Sequence, residues 1–115
     1  MNWAKLALAA TLALAPLSAN AKVCGEASWY GPGLYGGRTA NGESFSHDTM
    51  TAAHPYLPLG TRVRVTNRDN GRSIVVRIND RGPYYGGRII DIAHGAAVPL
   101  GLTRSGVANV CIAKL

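Results

Sequence analysis

The sequence predicts a small all-β domain, a six-stranded barrel or sandwich with one short helix. Short segments of alternating polar and apolar residues recur over about 90 residues, and glycine- and proline-rich turns separate them. Six strands are few for a sandwich, and closing the sheet removes its exposed edges, so the barrel is favoured. The predicted strands are residues 25–30, 50–53, 61–66, 72–78, 89–92 and 107–115, and the predicted helix is residues 93–101.

The first part of the predicted domain carries two short strands and a long loop. Residues 25–30 end at Gly31-Pro32-Gly33, which stops a strand. Residues 34–47 hold few apolar residues, and a loop of this length in a small domain is usually functional. A short strand follows at residues 50–53, before His54-Pro55.

The central signal is a hairpin. Residues 61–66 alternate with period two, residues 67–71 supply turn residues, and residues 72–78 alternate again. The face predicted to enter the core carries Ile74, Val76 and Ile78. The opposite face is either a solvated surface or a binding surface, and it carries Arg62, Arg64 and Arg77.

The last part of the chain returns to strands after a weak helix. Residues 89–92 form a short strand, and residues 93–101 form a helix weakened by Gly95 and ended by Gly101. One side of the final strand, residues 107–115, carries Ala108, Val110 and Ile112.

An export signal is predicted at residues 1–21. Lys5 precedes a run rich in Leu and Ala, and Ala19-Asn20-Ala21 is a small-x-small cleavage site. The apolar run is shorter than the roughly 20 residues of a membrane-spanning helix, so no stable membrane anchor is expected. We therefore expect residues 22–115 to form one domain that is periplasmic or secreted.

The two cysteines, Cys24 and Cys111, are expected to form an intramolecular disulfide. An exported chain with two cysteines most simply pairs them. Cys24 follows the predicted cleavage site closely, but Lys22 and Val23 before it are not the small residues of a lipid-modification site.

The chain is basic, with 12 Lys and Arg against 6 Asp and Glu and a formal net charge of +6. A basic exported protein implies an acidic polymer as its partner, for example a bacterial cell wall. Nucleic acid is the other common partner of a basic domain, and the export signal argues against it. We expect a monomer.

Asp80 is the leading candidate for chemistry, because it lies where a predicted strand ends. Such ends commonly carry active-site residues, and Gly82-Pro83 and Gly86-Gly87 fix the backbone beyond it. A turn-forming aspartate is the alternative. The other candidates for the same groove are Glu43, His54 and Asp91.

Other chemistries are disfavoured. The three histidines lack the spacing of metal ligands, so we expect neither a metal nor another cofactor. The disulfide leaves no thiol nucleophile. Hydrolysis of a glycoside normally uses two carboxylates, whereas attack by a hydroxyl of the substrate sugar itself needs one acid/base group. One carboxyl group could therefore be enough.

Seven segments, in order along nearly the whole predicted domain, resemble the rare lipoprotein A family. They are Ala27–Gly31, Arg38–Glu43, Thr51–His54, Leu57–Thr61, Val63–Asn67, Val76–Pro83 and Gly87–Asp91.

The resemblance implies a double-psi β-barrel, the fold shared with expansins and barwin. It also implies a bacterial lytic transglycosylase that cuts peptide-poor glycan strands of peptidoglycan and leaves 1,6-anhydro-N-acetylmuramic acid ends. Asp80 would then be the general acid/base, and Glu43 and His54 would match other catalytic positions. The residues expected to bind the glycan are Tyr30, Arg38, Thr39, Asn41, Arg81 and Asp91.

The chain departs from the family pattern at Ser46, where a family member usually carries Asp. This departure favours a second hypothesis, an expansin-like or barwin-like module that binds wall polysaccharide without cutting it. A third hypothesis is a secreted effector or inhibitor that uses the barrel as a disulfide-tied scaffold. A groove in which Asp80, Glu43 and His54 converge would favour the first.

Overall fold

The computed structural model describes residues 22–29, 37–44 and 49–115. The predicted export signal, Tyr30 and Ser46 lie outside these residues. Within the described ranges, no helix is long and apolar enough to span a membrane.

Six strands close into a barrel, and one short helix follows the fifth strand. The elements are β1 (Val23–Trp29), β2 (Thr51–Ala53), β3 (Arg62–Asn67), β4 (Ser73–Asp80), β5 (Arg88–Ile92), α1 (His94–Leu100) and β6 (Val107–Lys114). The order around the barrel is β1-β5-β2-β4-β3-β6. β1 runs parallel to β5 and β2 runs parallel to β4, whereas the remaining pairs are antiparallel. The predicted all-β barrel with six strands and one short helix is confirmed.

Aliphatic side chains that alternate along the strands fill the barrel. The inward residues of β4 are buried as the period-two pattern predicts, and they are Ile74, Val76 and Ile78. The buried side of the neighbouring strands carries Val63, Val65, Ala108, Val110 and Ile112. A one-residue slip of any of these strands would turn its apolar side chains to water, so the alternation fixes the pairing register.

Helix α1 packs its small apolar face on the barrel and ends at a glycine. Its buried residues are Ala96, Ala97 and Leu100. The chain leaves the helix at Gly101 with φ 78°, a left-handed conformation that glycine adopts without steric cost. The side-chain amides of Asn67 and Asn70 each donate to the Leu100 carbonyl at 3.0 Å, which ties the helix end to the β3–β4 hairpin.

The predicted disulfide is confirmed. Cys24 and Cys111 lie directly opposite each other on the antiparallel strands β1 and β6, with their Cα atoms 4.0 Å apart. The bridge joins the first and last strands of the barrel, 87 positions apart in sequence.

Candidate active site

Asp80 and Asp91 lie in one row across three neighbouring strands. Ala53 on β2 is paired with Asp80 on β4 and with Asp91 on β5. Paired residues on neighbouring strands point to the same side of a sheet, so both carboxyl groups share the face of Ala53. This is the outer face, because the preceding residue, Ala52, packs in the barrel core whereas Ala53 does not. The fold thus brings two predicted site residues together on the outside of the barrel.

A β-bulge at Asn79 turns Asp80 to this outer face. Ala52 pairs with Ile78 and Ala53 pairs with Asp80, so Asn79 is an extra residue on β4. Under strict alternation Asp80 would follow Ile78 into the core. The extra residue reverses the alternation, and Asp80 is only half-buried. Bulges commonly re-aim side chains beside active sites.

The loop at residues 37–44 is fastened along β4 next to Asp80. Ala40 N donates a hydrogen bond to Asp80 Oδ1 at 2.8 Å. Asn41 N donates to the carbonyl of Asn79, the bulged residue, at 3.2 Å. One of the two carboxylate oxygens of Asp80 is therefore held by the loop backbone.

Glu43 anchors the same loop through a bidentate ion pair with Arg77. The guanidinium donates to Oε1 at 2.5 Å and to Oε2 at 2.9 Å, and Asn41 Nδ2 also donates to Oε1. These hydrogen bonds, above all that of Arg77, lower the pKa of Glu43 from its usual 4.5 to about 2. Glu43 is therefore ionised near neutral pH and cannot donate a proton there.

Within the loop, two of the residues expected to bind glycan remain exposed. Thr39 is buried and its Oγ1 donates to Asn41 Oδ1 at 2.5 Å. Arg38 donates to the Gly42 carbonyl at 2.9 Å, and Gly42 has φ 89°, a conformation that favours glycine. Arg38 and Asn41 are open to solvent, whereas Thr39 shapes the loop from inside.

Asp91 lies in surroundings that favour the protonated form of its carboxyl group. Burial raises its pKa, and the charge of Asp80 raises it further. A hydrogen bond from Ser28 and the charge of Arg88 oppose this shift without reversing it. Ser28 Oγ donates to Asp91 Oδ1 at 3.2 Å, and Ser28 is the register partner of Asp91 on β1. The polar row therefore extends from β4 across β2 and β5 to β1.

His54 touches Asp80 through its backbone, while its ring closes a turn. His54 N donates to the Asp80 carbonyl at 3.1 Å. Ring atom Nδ1 accepts hydrogen bonds from the backbone N–H groups of Tyr56 and Leu57, at 3.2 and 3.1 Å. The proton of the neutral ring is therefore on Nε2. Burial lowers the pKa of His54, and the charge of Arg81 lowers it further, so the ring is neutral at pH 7.

Arg81 holds this turn in place. Its guanidinium donates to the carbonyls of His54 and Leu57 at 3.2 and 2.7 Å. His54 lines a separate cavity of about 200 Å³, together with Val23, Tyr56, Leu57, Val63, Ile112 and Lys114. None of the carboxyl groups of the polar row lines that cavity.

The structure thus gathers part of the predicted site and separates the rest. Asp80, Asp91 and Glu43 lie around the end of β4, whereas His54 and Arg81 hold the turn behind it.

Two contributing residues escaped the sequence reasoning about the site. Ser28 occupies an outward position on β1 and hydrogen-bonds Asp91. Arg77 lies on the outer face of the hairpin, three residues before Asp80. This short distance in sequence from Asp80 could have identified Arg77 as a residue of the site. In the part of the chain that the structure describes, no three His, Cys, Asp or Glu side chains are grouped so that they could hold a metal ion.

Solved structures with the same barrel confirm the double-psi β-barrel fold. The Streptomyces papain inhibitor matches with a TM-score of 0.66 and 23% identity, over 83% of this chain and 94% of the inhibitor. The Clavibacter michiganensis expansin matches with a TM-score of 0.65 and 18% identity, over 83% of this chain and 50% of the expansin.

Curated relatives share the domain at much higher identity. The "Probable endolytic peptidoglycan transglycosylase RlpA" of Synechocystis sp. is 62% identical over 88 residues, which cover 76% of this chain and 27% of the relative. The "Endolytic peptidoglycan transglycosylase RlpA" of Vibrio cholerae is 53% identical over 88 residues, which cover 76% of this chain and 34% of the relative. The chain spans about a quarter to a third of the length of these relatives.

The match to a family model covers most of the predicted domain. Residues 22–112 match the family described as "Lytic transglycolase". The resemblance to rare lipoprotein A, abbreviated RlpA, is confirmed by these two relatives, which carry the name RlpA. On this match, the chain belongs to the lytic transglycolase family.

Proposed function

We propose that this domain is an exported lytic transglycosylase that cuts peptide-poor glycan strands of peptidoglycan and leaves 1,6-anhydro-N-acetylmuramic acid ends. The observation that carries the proposal is the pair Asp80 and Asp91, which flank Ala53 on the outer face of the barrel. Family membership and the names of the full-length relatives support the reaction class.

Asp80 acts as the general acid/base in this proposal. In its protonated form, it gives its proton to the glycosidic oxygen as the bond from the anomeric carbon to that oxygen breaks. The resulting carboxylate then takes the proton of the muramic acid C6 hydroxyl as that oxygen bonds to the anomeric carbon. The proton lost in the first half is regained in the second, so no water and no second nucleophile is consumed.

Asp91 supports Asp80 by keeping a proton nearby. Its pKa is raised by burial and by the charge of Asp80. A proton is therefore retained beside the proposed acid at a pH where an isolated carboxyl group would be ionised. Ser28, which donates to Asp91 Oδ1, fixes the orientation of that carboxyl group.

Glu43 and His54 act as positioning residues rather than as proton donors. The ion pair of Glu43 with Arg77 fixes the loop that delivers the Ala40 N–H to Asp80. The backbone of His54 binds the Asp80 carbonyl, while its neutral ring holds the following turn. We further propose that the domain works as a monomer without a cofactor, which size-exclusion chromatography and activity in the presence of a chelator would test.

The experiment is mass spectrometry of the products after the purified protein has been incubated with peptide-free glycan strands. Fragments that end in 1,6-anhydro-muramic acid are expected from the native protein and are expected to disappear in Asp80→Asn, which preserves the shape of the side chain and loses its acid. Asp69→Asn, in the exposed hairpin turn, is the matched control and should leave cutting intact.

The alternative products refute different parts of the proposal. Ordinary reducing ends would show hydrolysis and a second catalytic group with a water. Cutting retained in Asp80→Asn would remove Asp80 from its role. Binding to sacculi with no fragments at all would make the domain a wall-binding module, the second hypothesis from the sequence.

A further inference from the structure

We propose that Arg62 and Arg64 form a carboxylate-binding subsite, which holds acidic substituents carried along the glycan beyond the point of cleavage. The subsite lies on the outer face of β3, beside β4, the strand that ends at Asp80. This inference rests on the proposed glycan substrate, and it names the chemical feature of that substrate that the barrel recognises.

The two arginines share one outward face of the barrel. On β3 the exposed positions Arg62 and Arg64 alternate with Val63 and Val65, which are fully buried. Both guanidinium groups therefore point to solvent on the same side of the sheet, two residues apart.

Nothing in the described part of the chain neutralises these two charges. Neither side chain forms a hydrogen bond or an ion pair there, whereas Arg77, directly opposite Arg62, is neutralised by Glu43. β3 and its neighbours β4 and β6 contain a single acidic side chain between them, Asp80 at the end of β4.

The two neighbouring positive charges gain no compensating contact in the described part of the chain, so the fold itself does not call for them. Like charges at adjacent positions on one face of a sheet repel each other. An anionic ligand that lies between them would remove that repulsion. Two arginines that have no partner among the described residues, beside the strand of the proposed acid, therefore favour a ligand role over a solvated surface.

The two arginines lie beside β4, the strand that ends at Asp80. Arg62 is opposite Arg77 and Arg64 is opposite Val75, three and five residues before Asp80 on β4. At a rise of about 3.3 Å per residue, the arginines lie roughly 10 and 17 Å from Asp80 along the strand. A glycan strand bound across Asp80 would reach them within a few sugar residues.

Free carboxylates are the group that this subsite fits. Guanidinium groups bind carboxylates through two parallel N–H···O bonds, and they do so better than the ammonium of lysine. In a peptidoglycan strand without stem peptides, each muramic acid carries a free lactyl carboxylate. These carboxylates recur along the polymer, so negative charge is present at intervals beyond the cleavage point.

The test measures binding, so that it stays informative whether or not the strands are cut. Fluorescently labelled glycan strands with free muramic carboxylates are compared with the same strands after conversion of those groups to neutral amides. The protein variant is Arg62→Gln with Arg64→Gln. The control, Arg72→Gln with Arg104→Gln, removes the same charge from exposed positions by the β3–β4 turn and after α1.

The expected result is selective. The Kd of the Arg62/Arg64 variant for carboxylate strands rises about threefold to tenfold, in line with two exposed ion pairs. Its Kd for amidated strands, and the Kd of the control variant for both strands, stay within about twofold of the native values. Added salt removes the difference between variant and native protein.

Two results overturn the subsite. One is an unchanged Kd for carboxylate strands, and the other is an equal loss on carboxylate and amidated strands. Cutting is measured separately on the same samples. Absence of cutting by the native protein would refute the proposed function and leave the binding comparison to decide the subsite.

Discussion

Replacing both cysteines by serine tests how far the disulfide stabilises the barrel. The bridge links Cys24 and Cys111, 87 positions apart, so the chain-entropy relation for a loop of that size gives about 4.6 kcal/mol. Little packing is lost with it, since Cys24 is exposed and Cys111 is half-buried. The barrel should still fold, because a domain of this size typically has about 5–14 kcal/mol of stability.

The measurement is thermal unfolding followed by circular dichroism. For a domain of 60–100 residues, 1 kcal/mol corresponds to about 4–8 °C, so the expected fall in Tm of the Cys24→Ser/Cys111→Ser variant is roughly 18–37 °C. Reducing the native protein should lower its Tm by the same amount, and the same treatment should leave the double variant unchanged. A fall of less than about 5 °C would contradict the reasoning, and it would mean that the unfolded chain keeps the two ends together without the bridge.

Two further predictions concern the carboxyl groups of the site. Asp91→Asn should reduce cutting yet raise the stability at pH 7 by about 1 kcal/mol, because the amide can still accept from Ser28 and no longer ionises. A carboxyl group with a raised pKa contributes stability that is complete below its unfolded pKa and is lost as the pH rises through its folded pKa. The gain should therefore vanish in melts at pH 3, and a gain of equal size at both pH values would refute the assignment. Glu43→Gln should lower the stability at pH 7 by less than about 1 kcal/mol, since Glu43 and Arg77 are both partly exposed. Because the pKa of Glu43 falls from 4.5 to about 2, this difference from the native protein should shrink as the pH drops through that interval, and a difference that stays constant across it would contradict the ion pair.

The sequence predicted the local elements well because each has a local cause. The alternation on either side of the hairpin turn predicted β3 and β4 within one or two residues of their observed bounds. A weak helix was predicted at residues 93–101, weakened by Gly95 and ended by Gly101, and the structure places it at His94–Leu100. Two cysteines in an exported chain were enough to predict the disulfide.

The parts that escaped prediction depend on contacts between distant residues. The parallel pairing of β2 with β4 and the bulge at Asn79 follow from how the barrel closes, and no residue near the bulge signals it. The pairing of Glu43 with Arg77 joins residues 34 positions apart. The ring of His54 is used in a turn because burial and two backbone N–H groups hold it there, which a motif alone does not reveal.

The bulge at Asn79 decides which face of the sheet carries the side chain of Asp80. Along a pleated strand, whether a residue faces in or out depends only on how many residues separate it from a neighbour of known facing. If β4 kept all its residues but paired with β2 without the bulge, Asp80 would follow Ile78 and direct a carboxylate into an aliphatic core. Deleting Asn79 would instead place Asp80 directly after Ile78 and still opposite Ala53, so Asp80 would keep its outward orientation without a bulge. With its present number of residues, β4 therefore presents Asp80 on the outer face only while the bulge is kept.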